Sequence, residues 1–183
     1  MEVNMANYRR NRVPGGSYFF TVALENRNSH LLTDRIEALR NAARVVRQRH
    51  PFFIDAWVVL PDHMHAIWTL PQHDIDYAKR WRRIKSLFSK SIPLHESRNA
   101  SRVEKGERGI WQRRYWEHTI RDDDDFQRCF DYLHINPLKH GLVSRVYDWE
   151  YSTFHRYVEK GVYTEDWGGE IEIKGSFGER KIG

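Results

Sequence analysis

The chain has 183 residues, with 30 lysines and arginines against 25 aspartates and glutamates, a formal charge of +5 and one cysteine. That length supports one good hydrophobic core and most simply one domain, and a single cysteine excludes an internal disulfide and fits a reducing compartment. No apolar run is long enough to cross a bilayer and the first residues lack a signal-peptide core, so a cytoplasmic protein with no membrane partner is expected.

Taken in chain order, Tyr8, Arg9, Arg10 and Arg12 precede Gly15-Gly16 and read equally well as a DNA-gripping arm or a frayed basic terminus. Ser17 to Leu24 alternates as a strand. Asp34, with Glu37 three residues on, reads as the N-cap of a helix that turns Ile36, Leu39, Ala43 and Val46 inward. Phe52 to Leu60 and His63 to Leu70 are strands separated only by Pro61-Asp62, too short for a crossover, so they form an antiparallel hairpin. Within the second strand, His63 and His65 flank apolar Met64. Alternate side chains share a face, so both imidazoles point the same way and supply half of a divalent-metal site. An isolated His-x-His more often just fills a half-buried strand.

A second helix follows, with Trp81, Ile84, Leu87 and Phe88 inward and Arg82, Arg83, Ser86 and Lys90 outward. Residues 79–114 hold twelve basic and three acidic side chains, a local charge of nine against five for the whole chain. Such concentration reads as a phosphate-facing surface, with Arg82, Arg83, Lys85, Arg113 and Arg114 as candidate contacts, although an acidic protein surface or anionic lipid would use the same charge. Residues 94–109 carry little apolar surface and read as a mobile loop, and Trp111 to Ile120 as an extended segment. Asp122 to Asp125 suit a helix N-terminus, after which Phe126, Cys129, Phe130 and Leu133 form a buried stripe. Tyr132 and Asn136 stand one turn apart along its edge, looking sideways across the sheet, while His134 projects near the opposite edge. Pro137 disfavours helical geometry before it, which ends this helix around Asn136. Trp57, Trp68 and Trp81 read as packing residues, and His155 as a surface one. The order predicts an α+β ferredoxin-like (RRM-like) sandwich, an antiparallel sheet with helices packed on one face, in a single domain over residues 1–167 with a flexible tail at 168–183.

Several blocks then act together: Tyr8-Arg-Arg10, Gly15-Gly-Ser-Tyr-Phe-Phe-Thr-Val22, the His-x-His strand with its Trp-Val-Val-Leu-Pro lead-in, and Trp81-Arg-Arg-Ile-Lys85. To these add Ile110 to Arg121, Tyr132-Leu-His-Ile-Asn-Pro-Leu-Lys-His-Gly-Leu-Val143 and Tyr151-Ser-Thr-Phe-His-Arg156. Over roughly residues 7 to 167 the chain resembles the REP-associated tyrosine transposases, a branch of the single-tyrosine HUH nucleases. The resemblance implies a metal-dependent endonuclease and strand transferase that cuts single-stranded DNA at hairpins of repetitive extragenic palindromes (REP) through a 5′-phosphotyrosine link. By position, it makes His63 and His65 metal ligands, Asn136 the amide ligand and Tyr132 the nucleophile. Those donors suit Mg²⁺ or Mn²⁺, the latter being the better match to nitrogen, and Cys129 on the core stripe is a poor thiolate for zinc. No dedicated base stands out, a water on the metal and His140 being weak options. Should Asn136 serve only as a cap, Asp62 or His118 is next in line as a ligand. The segment from His95 to Gly109 looks long for the family. No small-molecule organic cofactor is implied, nucleoid association follows from DNA binding, and a monomer is the simplest expectation. The competing function is a non-cleaving single-stranded nucleic-acid-binding protein on the same fold, which has no need for His63, His65, Tyr132 and Asn136 together.

Overall fold

Strand β1 (Ser17–Ala23) buries side chains on both faces, as a central strand must. In the computed structural model, which describes residues 11–94, 96 and 98–169, β1 lies between β3 (His63–Thr69) and β4 (Trp116–Thr119), and β2 (Phe53–Val59) pairs with the far side of β3. All three pairings are antiparallel. Helices α1 (Leu31–Asp34) and α2 (Ile36–Arg49) follow β1, and α3 (Tyr77–Lys90) and the short α4 (Ala100–Glu104) lie between β3 and β4. The order β2-β3-β1-β4 with these crossovers is the ferredoxin-like arrangement, and the fold is α+β. Helix α5 (Asp123–Lys139), a 3-10 turn (Val146–Asp148) and α6 (Phe154–Glu159) complete the described chain.

Alternation along the strands sorts the apolar residues into two cores. Tyr18, Phe20, Met64 and Trp68 meet Leu39, Val46, Trp81 and Phe88 from α2 and α3, with Trp68 and Trp81 stacked at 4.1 Å and 15°. Phe19, Ala56, Val58 and Ile67 meet Cys129, Phe130, Tyr132 and Leu133 of α5. Helices α2 and α3 thus share one face, as the ferredoxin-like reading requires, and α5 is an addition on the other. A bulge between Ile54 and Ala56 shifts the register of β2 against β3. The outer edge of β2 is covered: Val59 N–H donates to the Tyr151 carbonyl and Thr153 N–H to that of Trp57.

Four local expectations are corrected. Asp34 ends α1 instead of capping α2, because Leu32, fully buried, already requires helical turning one turn upstream; Arg35 occupies the cap position without a side-chain bond. Leu87 is 37% exposed, since Trp81, Ile84 and Phe88 define a stripe whose margin it only touches. Residues 94–109 are no featureless loop: α4 buries Arg102 in ion pairs with Glu25 and Glu107, and Arg108 grips Glu96 and the carbonyls of Ser89, Ile92 and Pro93. Helix α5 runs past Pro137 to Lys139. A proline this near a helix end denies a donor only to the Leu133 carbonyl, and the burial of Leu133, Ile135 and Pro137 offsets that loss. Trp57, Trp68 and Trp81 contact one another in the first core, as expected of packing residues. Arg9, Arg10 and the tail beyond Gly169 lie outside the described residues. Among the described residues no helix is long and apolar enough to cross a membrane.

The chain after α6 seats itself against α5 through Gly168. Its φ is +103°, and a Cβ there would stand 2.7 Å from Ile135 Cδ1 and 2.8 Å from Val146 Cγ2. Gly168→Ala is therefore expected to lower unfolding free energy by about 1–3 kcal/mol in chemical denaturation. An unchanged midpoint would mean that residues 164–169 are not seated there.

Candidate active site

With Met64 committed to the first core, His63 and His65 face α5, where both are buried. Their rings lie 5.1 Å apart at 87°. Each is oriented through Nδ1. His63 donates to Asp62 Oδ1 at 2.7 Å, and His65 Nδ1 is 2.9 Å from Thr21 Oγ1, its cross-strand partner on β1. A donating Nδ1 assigns the lone pair to Nε2, the arrangement that orients an imidazole for a metal. Burial, with help from Arg27 and His140, lowers the His63 pKa against the pull of Asp62, favouring the neutral, ligating form. Asp62 is itself held by Arg27; although burial opposes its ionisation, the hydrogen bonds and charges of His63 and Arg27 bring its pKa down to about 2.

Helix α5 delivers the other two residues. Its N-terminus is fixed by Asp122, which accepts from the Asp125 N–H at 2.8 Å. Tyr132, fully buried, has its ring 6.1 Å from that of Phe19 and 5.7 Å from that of His65, both edge-on. Its hydroxyl accepts from Lys139 Nζ at 2.9 Å. One turn on, Asn136 Nδ2 donates to the Tyr132 carbonyl at 3.1 Å, and its Oδ1, buried, has no hydrogen-bond partner among the described residues. A buried amide oxygen left so is costly unless something electropositive meets it, and a hard cation is such a group. Two imidazoles and an amide oxygen, with no thiolate, fit Mg²⁺ or Mn²⁺. His140, directly after α5, has its ring 5.0 Å from His63.

Other candidates are spent on structure. His118, Asp125 and Cys129 approach within 4.8 Å of one another, but Asp125 already accepts from His118, Arg121 and Arg128, and burial pushes the Cys129 thiol up to about 12. This cluster braces the start of α5. His134 bonds the Phe130 carbonyl and Thr153, and burial takes its pKa down to about 3, as fits a core histidine away from the site. His155 Nε2 donates to the Tyr147 carbonyl, a local bond in place of a plain surface position.

Beside α3 and α4 runs a groove of about 950 Å³ whose lining includes Arg12, Lys79, Arg82, Lys85 and Arg113. Lys85 lies over the rings of Trp111 and Tyr115, and Arg113 is paired with Glu107. Arg83 and Arg114 are exposed outside this lining. Not all of the basic run faces outward: Arg80 is buried against Asp74, and Arg102 and Arg108 are paired internally. Sequence reasoning missed Lys139 and Arg27 in the site. The seven-residue spacing of Lys139 from Tyr132, two helical turns, was a usable signal for the first; nothing local marks the second.

Comparison with known proteins bears on this geometry. The family described as "Transposase IS200 like" matches residues 13–136. An Escherichia coli REP-associated tyrosine transposase is 48% identical over 178 residues, covering 97% of this chain and 99% of that protein. A Haemophilus influenzae relative carrying the same family name is 46% identical, covering 93% and 97%. A solved REP-associated tyrosine transposase bound to a REP hairpin superposes with a TM-score of 0.83 at 47% identity, covering 98% of this chain and all of that one.

The brace at Asp125 sets an acid limit on the fold. Burial alone would raise its pKa, yet His118 and Arg121 bring it down to about 2. A carboxyl whose folded pKa lies below its unfolded value stabilises fully above ~4, and the contribution is lost as pH falls toward 2. Between pH 4 and 2, Asp125→Asn should make the fall in unfolding free energy shallower by up to ~1.4 kcal/mol per pH unit. Equal slopes in the variant and the parent protein would contradict the brace.

Proposed function

The chain belongs to the REP-associated tyrosine transposases, within the IS200-like family of enzymes that cleave and join DNA, and on that premise we propose that it cuts single-stranded DNA at REP-type hairpins through Tyr132. The observation that carries the reading is the contact of the Tyr132 ring with that of His65, itself beside His63, beneath α5, with the buried Asn136 oxygen one turn along. In cleavage the Tyr132 oxygen bonds to phosphorus while the phosphorus–O3′ bond breaks, leaving a 5′-phosphotyrosine and a 3′-hydroxyl. The link keeps a phosphodiester, so attack by a 3′-hydroxyl reverses it and joins strands. The phenol must lose its proton during the attack.

A divalent metal, Mg²⁺ or Mn²⁺, held by His63, His65 and Asn136, would draw charge from the non-bridging oxygens of the scissile phosphate. Asp62 and Thr21 keep the two imidazoles aimed, and Phe19 packs the tyrosine ring against the sheet. The groove along α3 supplies phosphate contacts through Arg82, Lys85 and Arg113, joined by Arg12 and Lys79, and the exposed Arg83 and Arg114 outside its lining, with Arg9 and Arg10, are assigned the same role from sequence. The hairpin-bound relative supports hairpin DNA as the partner. Residues 1–167 act as one domain on chromosomal DNA in the cytoplasm.

The test is incubation of labelled hairpin DNA bearing a single-stranded flank with Mn²⁺, followed by denaturing gels. A covalent protein–DNA adduct is expected, and Tyr132→Phe should abolish it while hairpin binding is kept, because only the hydroxyl is removed. An adduct of undiminished yield in that variant would remove Tyr132 from the nucleophile role.

Asn136 separates by substitution into ligand or cap. As a ligand, Asn136→Ala should raise the metal concentration needed for half-maximal cleavage, with little change in melting temperature without metal, and Asn136→Asp should restore part of the activity. Loss of about 1 kcal/mol of stability with an unchanged metal requirement would make it a cap.

A further inference from the structure

Helix α5 continues past Pro137, and that continuation sets Lys139 two turns beyond Tyr132 on the same helical face. Lys139 is exposed to solvent, yet its ammonium lies 2.9 Å from the Tyr132 oxygen and 4.5 Å from the centre of the tyrosine ring. A long, exposed side chain gives up rotamer freedom to lie over a buried ring, so the contact must return something. An ammonium only donates, so it engages a lone pair of the phenolic oxygen and leaves the hydroxyl hydrogen to depart elsewhere. The bond strengthens as negative charge builds on that oxygen.

We propose that Lys139 is a positioning residue for the Tyr132 oxygen, holding it for attack in cleavage and stabilising it as the leaving group in joining. This rests on the reading of Tyr132 as nucleophile. In cleavage the tyrosine oxygen–phosphorus bond forms and the phosphorus–O3′ bond breaks; the phenolic proton passes to water and O3′ takes one from water, so protons balance. In joining the bonds exchange in reverse, and the tyrosine oxygen departs carrying charge directly opposite the ammonium. A metal ligand would act on the phosphate; Lys139 acts on the tyrosine oxygen. Its loss therefore changes the rate constants and leaves the metal requirement where it was.

The test uses the full chain, labelled hairpin with a single-stranded flank, and Mn²⁺, under single-turnover conditions at saturating DNA. Lys139→Met keeps most of the stem and removes the charge; Lys139→Arg restores a charge. For Lys139→Met, cleavage and joining should each fall about 10²-fold, the loss expected for one donor aimed at a developing charge. Hairpin Kd should stay within roughly threefold, and the metal concentration for half-activation and the melting temperature should not move. Lys139→Arg should recover at least about tenfold of the loss. Full-rate cleavage by Lys139→Met, or a fall in rate matched by weaker hairpin binding or by a lower melting temperature, would overturn the proposal. A parent protein that forms no adduct would overturn the Tyr132 reading first and this inference with it, so the two failures are told apart by the parent's own lane.

Discussion

A strand between two packed layers has to divide its residues between them, and in β3 that division decides the site. Met64 enters the tryptophan-rich core, so His63 and His65 must enter the other. Slippage by one residue would place Met64 and Trp68 beneath α5 and turn both imidazoles toward Trp81, away from Tyr132 and Asn136. The register is pinned on both sides: Thr21 and Val58 stand opposite His65, and Met64 opposite Val22 and Val59. The same pairing brings Thr21 Oγ1 to His65, so the backbone ladder that fixes the strand also aims the ring.

The two cores serve different ends. The first, with its stacked tryptophans, holds α2 and α3 to the sheet and gives α3 a firm base from which Arg82 and Lys85 reach the groove. The second is built around α5, braced at its start by Asp122 and Asp125 and near its end by the approach of Gly168 to Ile135. Tyr132 is thereby held within packed side chains, with its oxygen toward the Lys139 ammonium. Preorganisation of this kind would spare the proposed cleavage the cost of ordering the Tyr132 side chain. Charge is divided similarly: Arg80, Arg102 and Arg108 hold the frame through ion pairs, and Lys79, Arg82, Lys85, Lys90 and Arg113 of the basic run line the groove.

The strands, the hairpin and the stripe of α5 were legible because each is a local period: two for β1 and β3, three and four for Phe126, Cys129, Phe130 and Leu133. The His-x-His face and the Tyr132–Asn136 spacing were legible for the same reason. What escaped depends on tertiary context. Whether Pro137 ends a helix is decided by how much burial lies beyond it, and the sequence around it argues only from sterics. Arg27 reaches Asp62 from a distant loop, a contact no spacing encodes. Low apolar content made residues 94–109 look unstructured, yet the buried Arg102 and the half-buried Arg108 are themselves the anchors there, held by ion pairs in place of hydrocarbon.

The proposed site joins β3 and α5 around one cation beside Tyr132. The most direct measurement is the anomalous scattering of Mn²⁺ in crystals of the protein. For the proposed site, a peak bounded by His63, His65 and the Asn136 side-chain oxygen is expected. A peak at His118, Asp125 and Cys129 instead, or a Mn²⁺ bound by the histidines with Asn136 turned away, would contradict it.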